Sequence, residues 1–548
     1  MKRYSLLALS TLWLVMGSRQ AFGQDQILRE RLLGIPVHVG PAEPLPPPQG
    51  FQEHIIGGKL VLTLDDAIRL AMQNNSDIHI DQSSVDFAQN DLHRRWAPFD
   101  PVATGSFVDQ GIKTQTSSQL QGAQVLSGLT QTTQFGYAQL FPTGTNFQTS
   151  FGNVKSSTNS SFATLNPSYY TSWSFQVTQP LLKHFGIFPN RAPIYIAQRN
   201  LKQAQATFQG EVSDVLLNVI SQYWNLVLAG ENLKVQNKSF EEAQQSYERD
   251  KKALSLGALP PLDIYRSESE VAVRRVTLIQ AEYALKQAED QFRQVIAANR
   301  DPALNALDLE LTERPEPPET LLQIDIGTAI SLAMANRPEV EAATQQLAAD
   351  HLSIQLAHNN LRPDLELSGY YSPTGLGGNA YDVNTVPPTL LSAGGLGDSL
   401  SQLFTLKYPT YSASLTLTLP IKNHGAEADL ADAKITERSD QYREARLTQS
   451  ITLEVTNAVH LLEQAELSLQ AAKLSEELSR KNLQAEQRKY ELGGTTIFFV
   501  LDAQTQLANA EFALAQAQTS YQTAVAAVDH STGRLLEHHR VEILSPHK

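Results

Sequence analysis

The stretch Leu64-Asp-Asp-Ala-Ile-Arg-Leu-Ala-Met-Gln-Asn74 returns in the second half of the chain as Ile326-Gly-Thr-Ala-Ile-Ser-Leu-Ala-Met-Ala-Asn336. Ala67, Ile68, Leu70, Ala71, Met72 and Asn74 recur as Ala329, Ile330, Leu332, Ala333, Met334 and Asn336. Each copy opens on a helix cap, Thr63 with Asp66 in the first and Asp325 with Thr328 in the second. One shared helix opening is weak evidence of duplication. Here the elements that follow recur in the same order, so the chain reads as two similar halves.

Working outward, each opening helix of about 30 residues leads into a Ser/Thr/Gly-rich region with period-2 alternation. In the second half Tyr411, Ala413, Leu415, Leu417 and Leu419 point one way, and Ser412, Ser414, Thr416 and Thr418 the other. In the first half Trp173, Phe175 and Val177 oppose Ser172, Ser174, Gln176 and Thr178. Both strands end at a proline, Pro180 and Pro420; Leu365 and Leu367 open a partner strand, as Val102 to Asp109 does in the first half. The first region also carries an extra hairpin, Phe135 to Phe151, turning near Pro142-Thr-Gly144, whose place the sequence leaves open. Strands with one apolar and one hydroxyl/amide face suit an outer-membrane barrel. They suit a soluble sandwich equally, because periodicity does not identify the solvent.

Very long helical segments follow, at about 190–256 and 424–491, each running roughly 100 Å. Val455, Val459, Leu462 and Leu469 form a coiled-coil seam, and Ala458, Ala465, Ala471 and Ala472 allow close packing. The long helices end at Leu256-Gly257-Ala258-Leu259-Pro260-Pro261 and at Leu492-Gly493-Gly494-Thr495-Thr496, after which shorter helices return at 262–299 and 498–535. An opening and a returning helix together match the long helix in length. They are expected to stack end to end beside it, as a wall between the β region and the pair of turns.

Composition narrows the compartment. The 548 residues include no cysteine, 41% hydrophobic residues, and 57 Asp+Glu against 43 Lys+Arg, for a net charge of −14. Disulfides, Cys-ligated metals, thiol catalysis and an N-terminal lipidated cysteine are thereby excluded. The acidic balance argues against nucleic acid as a partner. Lys2, Arg3, the apolar run Leu6 to Met16 and Ala21-Phe22-Gly23 read as a signal peptide over 1–23. No later apolar run reaches the roughly 18–20 residues of a spanning helix, so any membrane span must be a barrel. Residues 24–60 form a Pro-rich arm and 301–324 an inter-repeat linker with Pro315, Pro317 and Pro318. The first repeat is placed at 61–300, with its β region at 100–182. The second is placed at 325–535, with its β region at 363–421, before a tail at 536–548.

No enzyme chemistry stands out. The 13 histidines are scattered, without a metal-type spacing, and His538, His539 and His547 read as part of a solvated tail. There is no phosphate loop and no nucleophile elbow, so neither a cofactor nor a metal is expected. The two glycine turns carry more. Asp263 follows the first and Asp502 the second. Asp263 is accounted for by dipole compensation at a helix start, Asp502 less so. Around a symmetry axis, copies of Asp502 would form a cation-attracting ring at a constriction.

The order of these features resembles the outer-membrane efflux protein family, the TolC-like outer-membrane factors, over about residues 62–535. The likeness rests on the duplicated helix openings, the strand ending Thr178-Gln-Pro180-Leu-Leu182, the start Asn190-Arg-Ala192 and both turns. It implies an α+β membrane protein: a homotrimer whose protomers each give four strands to one 12-stranded outer-membrane β-barrel continuing into a periplasmic α-helical barrel. It also implies docking of a periplasmic adaptor and an inner-membrane transporter at the tips Leu256, Gly257, Leu492 and Gly493. Trp173, Phe175, Val177, Leu415, Leu417 and Leu419 would face outer-membrane lipid. Tyr490, Asp502 and Asp263 match aperture positions, whereas Phe499 stands at a family aspartate and Thr495 at a family arginine. An arginine clamp on Asp263 is therefore absent, and Phe499 is expected to supply a hydrophobic constriction. The function implied is a passive exit duct of a tripartite efflux or type I secretion system. The alternative is a periplasmic adaptor or coiled-coil scaffold without a barrel.

Overall fold

A computed structural model describes residues 45–116, 122–257, 262, 264–315, 324–385 and 387–541. The leader, most of the Pro-rich arm, Asp263, the linker prolines Pro317 and Pro318, and His547 lie outside the described residues. Met1–Pro48 is a unit by itself, whose described residues carry no regular structure; the remainder is a second unit.

Two short strands, β1 (Ile55–Ile56) and β2 (Lys59–Leu62), precede helix α1 (Leu64–Asn74) and helix α2 (Ser76–Arg94). Strands β3 (Val102–Gln115), β4 (Val125–Leu140), β5 (Asn146–Thr158) and β6 (Leu165–Pro180) lead into α3 (Ile187–Ser255) and α4 (Ile264–Val295). Strand β7 (Asp308–Leu311) lies in the linker, and the second half opens with α5 (Ile326–Asn336) and α6 (Pro338–Asn360). Then come β8 (Asp364–Asp382), β9 (Thr389–Ser392), helix α7 (Leu396–Phe404), β10 (Tyr408–Thr418), α8 (His424–Glu491) and α9 (Ile497–Ser531).

The caps form as the residues dictate. Thr63 and Asp66 exchange bonds in a capping box, and Asp325 Oδ2 accepts from the Thr328 N–H at 2.8 Å. The opening helix, expected to be single, is two in each half. Asn75 breaks the first in extended geometry while its side chain accepts from the Asp77 N–H. Arg337 breaks the second because Pro338 disfavours helical ψ in the residue before it.

At 69 and 68 residues, α3 and α8 are each about 100 Å long. α2 packs on the β-proximal part of α3 and α4 on its distal part; α6 and α9 likewise share the space between α3 and α8. Four helix columns result, two continuous and two stacked. Where the stacked halves meet, the core is widest. Leu216, Val219, Ile220, Tyr223 and Trp224 of α3 meet Ile68 and Ala71 of α1, Phe292 of α4 and Ala526 of α9. Strand β2 runs parallel to β7, so the linker is tied beside the first opening helix. The chain after α9 is no solvated tail as far as Val541: Leu535 is fully buried, Leu536 and Val541 pack on the same core, and His538 holds Asp529 at 2.6 Å.

No helix among the described residues is long and apolar enough to cross a membrane. The long strands form one antiparallel sheet in the order β10-β8-β6-β5-β4-β3, with β9 paired to the far end of β8. Among the described residues six long strands thus stand where four per chain were expected. The extra hairpin of the first half extends the ladder: β4 pairs with β3 from Val102↔Ala138 to Gln115↔Val125 and with β5 from Gly128↔Thr158 to Leu140↔Asn146.

Candidate functional site

Two regions concentrate the unusual features, the faces of the sheet and the paired turns at the opposite end of the long helices. In the sheet, side chains alternate between faces, and the registers decide which residues share one. One ladder row runs Ala103–Tyr137–Thr149–Phe175–Tyr371–Tyr411 across all six long strands. The same face carries the row Gly105–Phe135–Phe151–Trp173 and the pairs Phe147–Val177 and Leu415–Leu367. Trp173, Phe175, Val177, Leu415 and Leu417 therefore lie together on one apolar face. Leu419 falls just beyond the end of β10 and is exposed. The opposite face carries Thr104, Ser106, Thr132, Gln134, Ser150, Ser174, Gln176 and Ser414, with Thr178 and Ser368 hydroxyls 3.1 Å apart.

Helix α7, which sequence reasoning missed, lies on the apolar face across β6 and β8. Ser399 meets Thr171 at 2.6 Å, oxygen to oxygen, and Phe404 lies edge-on to Trp173 at 6.3 Å. Gly375 and Gly377 make this approach possible, since a Cβ on either would collide with the α7 backbone at Ser399 or Gly395. The apolar spacing of Leu396, Leu400 and Leu403 was the available signal.

At the other end the two turns are near copies. Leu256 (φ −91°, ψ 2°) and Leu492 (φ −89°, ψ 3°) close the long helices, followed by Gly257 and Gly493 at φ 72° and 70°. That left-handed geometry is why glycine is needed. The Gly257 and Gly493 N–H groups donate to the Leu254 and Tyr490 carbonyls, both at 3.0 Å. Leu256 and Leu492 are each 83% exposed, so each turn presents a bare leucine at its apex.

Behind the turns, Tyr490 of α8 donates to Asp250 of α3 at 3.3 Å, and Ser267 of α4 donates to the same carboxylate. Asp250 has no exposed surface. The sequence reading missed it, although it continues the small-residue seam Ser239, Ala243, Ser246 at steps that keep one helix face. On α9, Ile497, Val500, Leu501 and Leu507 pack against Leu483 and Tyr490. The exposed stripe of α9 runs Phe499, Asp502, Gln506, Asn509, Ala513. Phe499 and Asp502 are thus on one face, Gln506 donates to Asp502 at 2.8 Å, and Phe498 stacks edge-on beside Phe499 under the Arg266 guanidinium. Thr495 sits half-buried in the turn, ahead of the first residue of α9.

Midway along the body an ionic network joins α3, α8, α9 and the α5/α6 break. His530 contacts Asp214 at 2.7 Å and Glu454 at 3.7 Å, and Arg337 contacts Glu454 at 2.7 Å. Burial opposes the charged His530 ring, but the two carboxylates outweigh it and raise its pKa to about 9. Nearer the sheet, Asp350 of α6 lies against Asp440 of α8. Burial first, then the facing carboxylate, push Asp350 up to about 6.

Residues 136–298 and 329–534 match the family described as "Outer membrane efflux protein". The chain is 24% identical to "Outer membrane protein TolC" of Escherichia coli (strain K12) over 64% of this chain and 67% of that protein. It is 23% identical to "Nodulation protein T" of Rhizobium leguminosarum bv. trifolii over 59% of this chain and 65% of that one. It thus spans about two thirds of the length of these relatives. The outer-membrane channel OprN has a similar fold, with a TM-score of 0.61 at 17% identity over 86% of this chain and 89% of that one.

Proposed function

The chain belongs to the outer membrane efflux protein family, and on that footing we propose that three copies form a passive duct through the outer membrane and the periplasm. As an outer-membrane efflux channel of the TolC type it carries out no catalysis of its own. The alternative of an adaptor without a barrel falls with this assignment.

The observation that carries the reading is the apolar face held in register across every long strand of an open sheet, over the half nearer the helices; Asp109, Lys113 and Lys155 lie on that face further out. In hydrocarbon every backbone group needs a partner, so such a sheet is viable only when closed. Its apolar face then meets lipid, through Trp173, Phe175, Val177, Leu415 and Leu417, and its hydroxyl/amide face meets water. The helices support an assembly too. Val273, Val276, Ile279 and Tyr283 of α4 and Leu467, Leu474 and Leu478 of α8 are exposed apolar stripes on a single copy. Packed against neighbouring copies, they close a periplasmic helical tunnel.

At its far end, the α9 stripe of Phe499 and Asp502 forms the aperture, with Tyr490 holding the wall behind it. The bare leucines and their glycines, Leu256, Gly257, Leu492 and Gly493, are the docking points for a periplasmic adaptor and, beside it, the inner-membrane transporter that drives export. Fractionation tests the duct: a heat-modifiable trimer in the outer membrane is expected, and a soluble periplasmic monomer overturns it. Planar-bilayer recording of Phe499→Ala tests the constriction; raised conductance is expected, and unchanged conductance with unchanged cation block removes Phe499 from the aperture.

A further inference from the structure

We infer that the membrane barrel of this protein has eighteen strands, closed by β3 of each copy pairing with β10 of the next; the inference rests on the trimeric duct proposed above. The twelve strands that the family resemblance implies need four per copy, whereas the described residues hold six long strands in one uninterrupted ladder.

The two edges are complementary. β3 leaves the helical body after α2 and β10 returns to it before α8, so the edge strands run in opposite directions. Brought side by side, they pair antiparallel, as do all the long strands within the sheet. An even number of strands per copy is what lets such closure repeat around a ring without a parallel seam. Every residue of both edge strands is exposed. The 14 residues of β3 and the 11 of β10 are each long enough for a spanning strand of about 9–11 residues. Over the half of the sheet nearer the helices the apolar face continues to both edges, through Phe107 on one and Leu415 and Leu417 on the other, while Asp109 and Lys113 share that face further along β3. A single copy cannot close by itself, because membrane barrels start at about eight strands.

The girth of the helical tunnel agrees. Four columns per copy, spaced ~9.5 Å apart, make a threefold ring ~115 Å around. Six strands per copy, ~4.8 Å apart and tilted by ~40°, make a ring of ~110 Å. Four strands per copy would make one of only ~75 Å, a sharp taper at the junction. Barrel diameter grows with strand number, so the exit is about 1.5-fold wider than a twelve-stranded one. Its lumen face carries no charge on β3, β4, β5, β6 or β10; the carboxylates Asp364, Glu366 and Asp382 lie on β8. Such a mouth is wide and sorts weakly by charge.

The absence of native cysteine makes the seam directly testable. Ser106→Cys on the polar face of β3 is combined in turn with Thr410→Cys, Ser412→Cys, Ser414→Cys and Thr416→Cys on the same face of β10. A parallel series replaces Ser106→Cys with Ser150→Cys on β5, the strand that would form the edge if the β3–β4 hairpin lay outside a twelve-stranded barrel. After oxidation of intact outer membranes, at least one Ser106 pair is expected to give denaturant-resistant dimers and trimers, and no Ser150 pair any. Cross-linking in the Ser150 series, or in neither, overturns the eighteen-strand seam. Outer-membrane fractionation of the unmodified protein is read alongside. A trimer there with Ser150 cross-links leaves the duct standing and removes only the strand count, whereas a soluble monomer removes the duct itself.

Discussion

Tyr490 and Asp250, on different long helices and in different halves of the chain, meet 3.3 Å apart behind the turns, with Ser267 on the same carboxylate. Their bond joins the continuous helix of one repeat to that of the other at the end where the aperture is proposed. Tyr490→Phe removes one hydrogen bond, worth about 1 kcal/mol. Asp250→Ala leaves the Tyr490 and Ser267 hydroxyls facing each other without their shared acceptor. Both variants are expected to assemble and to raise resting conductance in planar bilayers, Asp250→Ala more strongly. Wild-type conductance in both would show that the bond does not hold the tip.

The His530 network makes stability depend on pH. The folded ring has its pKa raised to about 9 from the ordinary 6.5, so its contribution is complete below about pH 6.5 and is lost as pH climbs through about 9. His530→Gln should therefore lower thermal stability at pH 6, by at most about 3 kcal/mol, and scarcely alter it at pH 10. Melting curves of the purified assembly at the two pH values decide it; an equal loss at both would assign the effect to packing.

Asp350 loses stability in the same direction of pH, but through its charged form rather than its neutral one. Its pKa is raised above the ordinary 3.8, so the folded state favours the proton, and ionisation above about pH 6 weakens the α6–α8 contact. Asp350→Asn is expected to stabilise the protein at pH 8, by about 1–2 kcal/mol after solvent screening, and to do little at pH 4. A melting temperature unchanged at pH 8 would refute this.

Seating of α7 on the sheet depends on two glycines. Gly375→Ala places a methyl group against the Ser399 carbonyl, an overpacking cost of about 1–3 kcal/mol. Protease cleavage between β9 and β10 should increase while the helical body stays intact. Gly397→Ala, at a position with open space around it, is the matched control and should leave cleavage unchanged.

The exposed apex leucines contribute little to folding. Leu256→Asp and Leu492→Asp should change stability by less than about 0.5 kcal/mol. Trimer yield should stay normal while resistance to toxic compounds in a complemented deletion strain falls, most in the double variant. Retained resistance in the double variant would move the docking surface elsewhere.

The duplicated openings, the two periodicities and the glycine turns were legible in the sequence because each is a local pattern repeated in order. The break at Arg337 was announced by Pro338; that at Asn75 had no such marker, since an asparagine caps a helix or sits within one with similar ease. The place of the extra hairpin in the ladder and the seat of helix α7 depend on pairing partners far along the chain. Val102 meets Ala138, and Thr171 meets Ser399, contacts that no short window contains. Asp250 was hidden for the same reason, its partner Tyr490 lying in the other repeat. Phe499 and Asp502 were singled out from the sequence and do share one exposed stripe.

The near-identity of the two turns has a consequence for stoichiometry. In the proposed trimer, the two equivalent tips of each copy would present six contact points around the axis, alike in backbone and alternating in sequence. A ring of six identical partner subunits would find the same glycine-braced leucine at every position, flanked by Lys252 and Ser255 at one and by Arg488 and Glu491 at the next. Such a partner must read the backbone and the leucine and tolerate the rest, so a change of flanking charge at one turn alters three of the six positions and should be absorbed there.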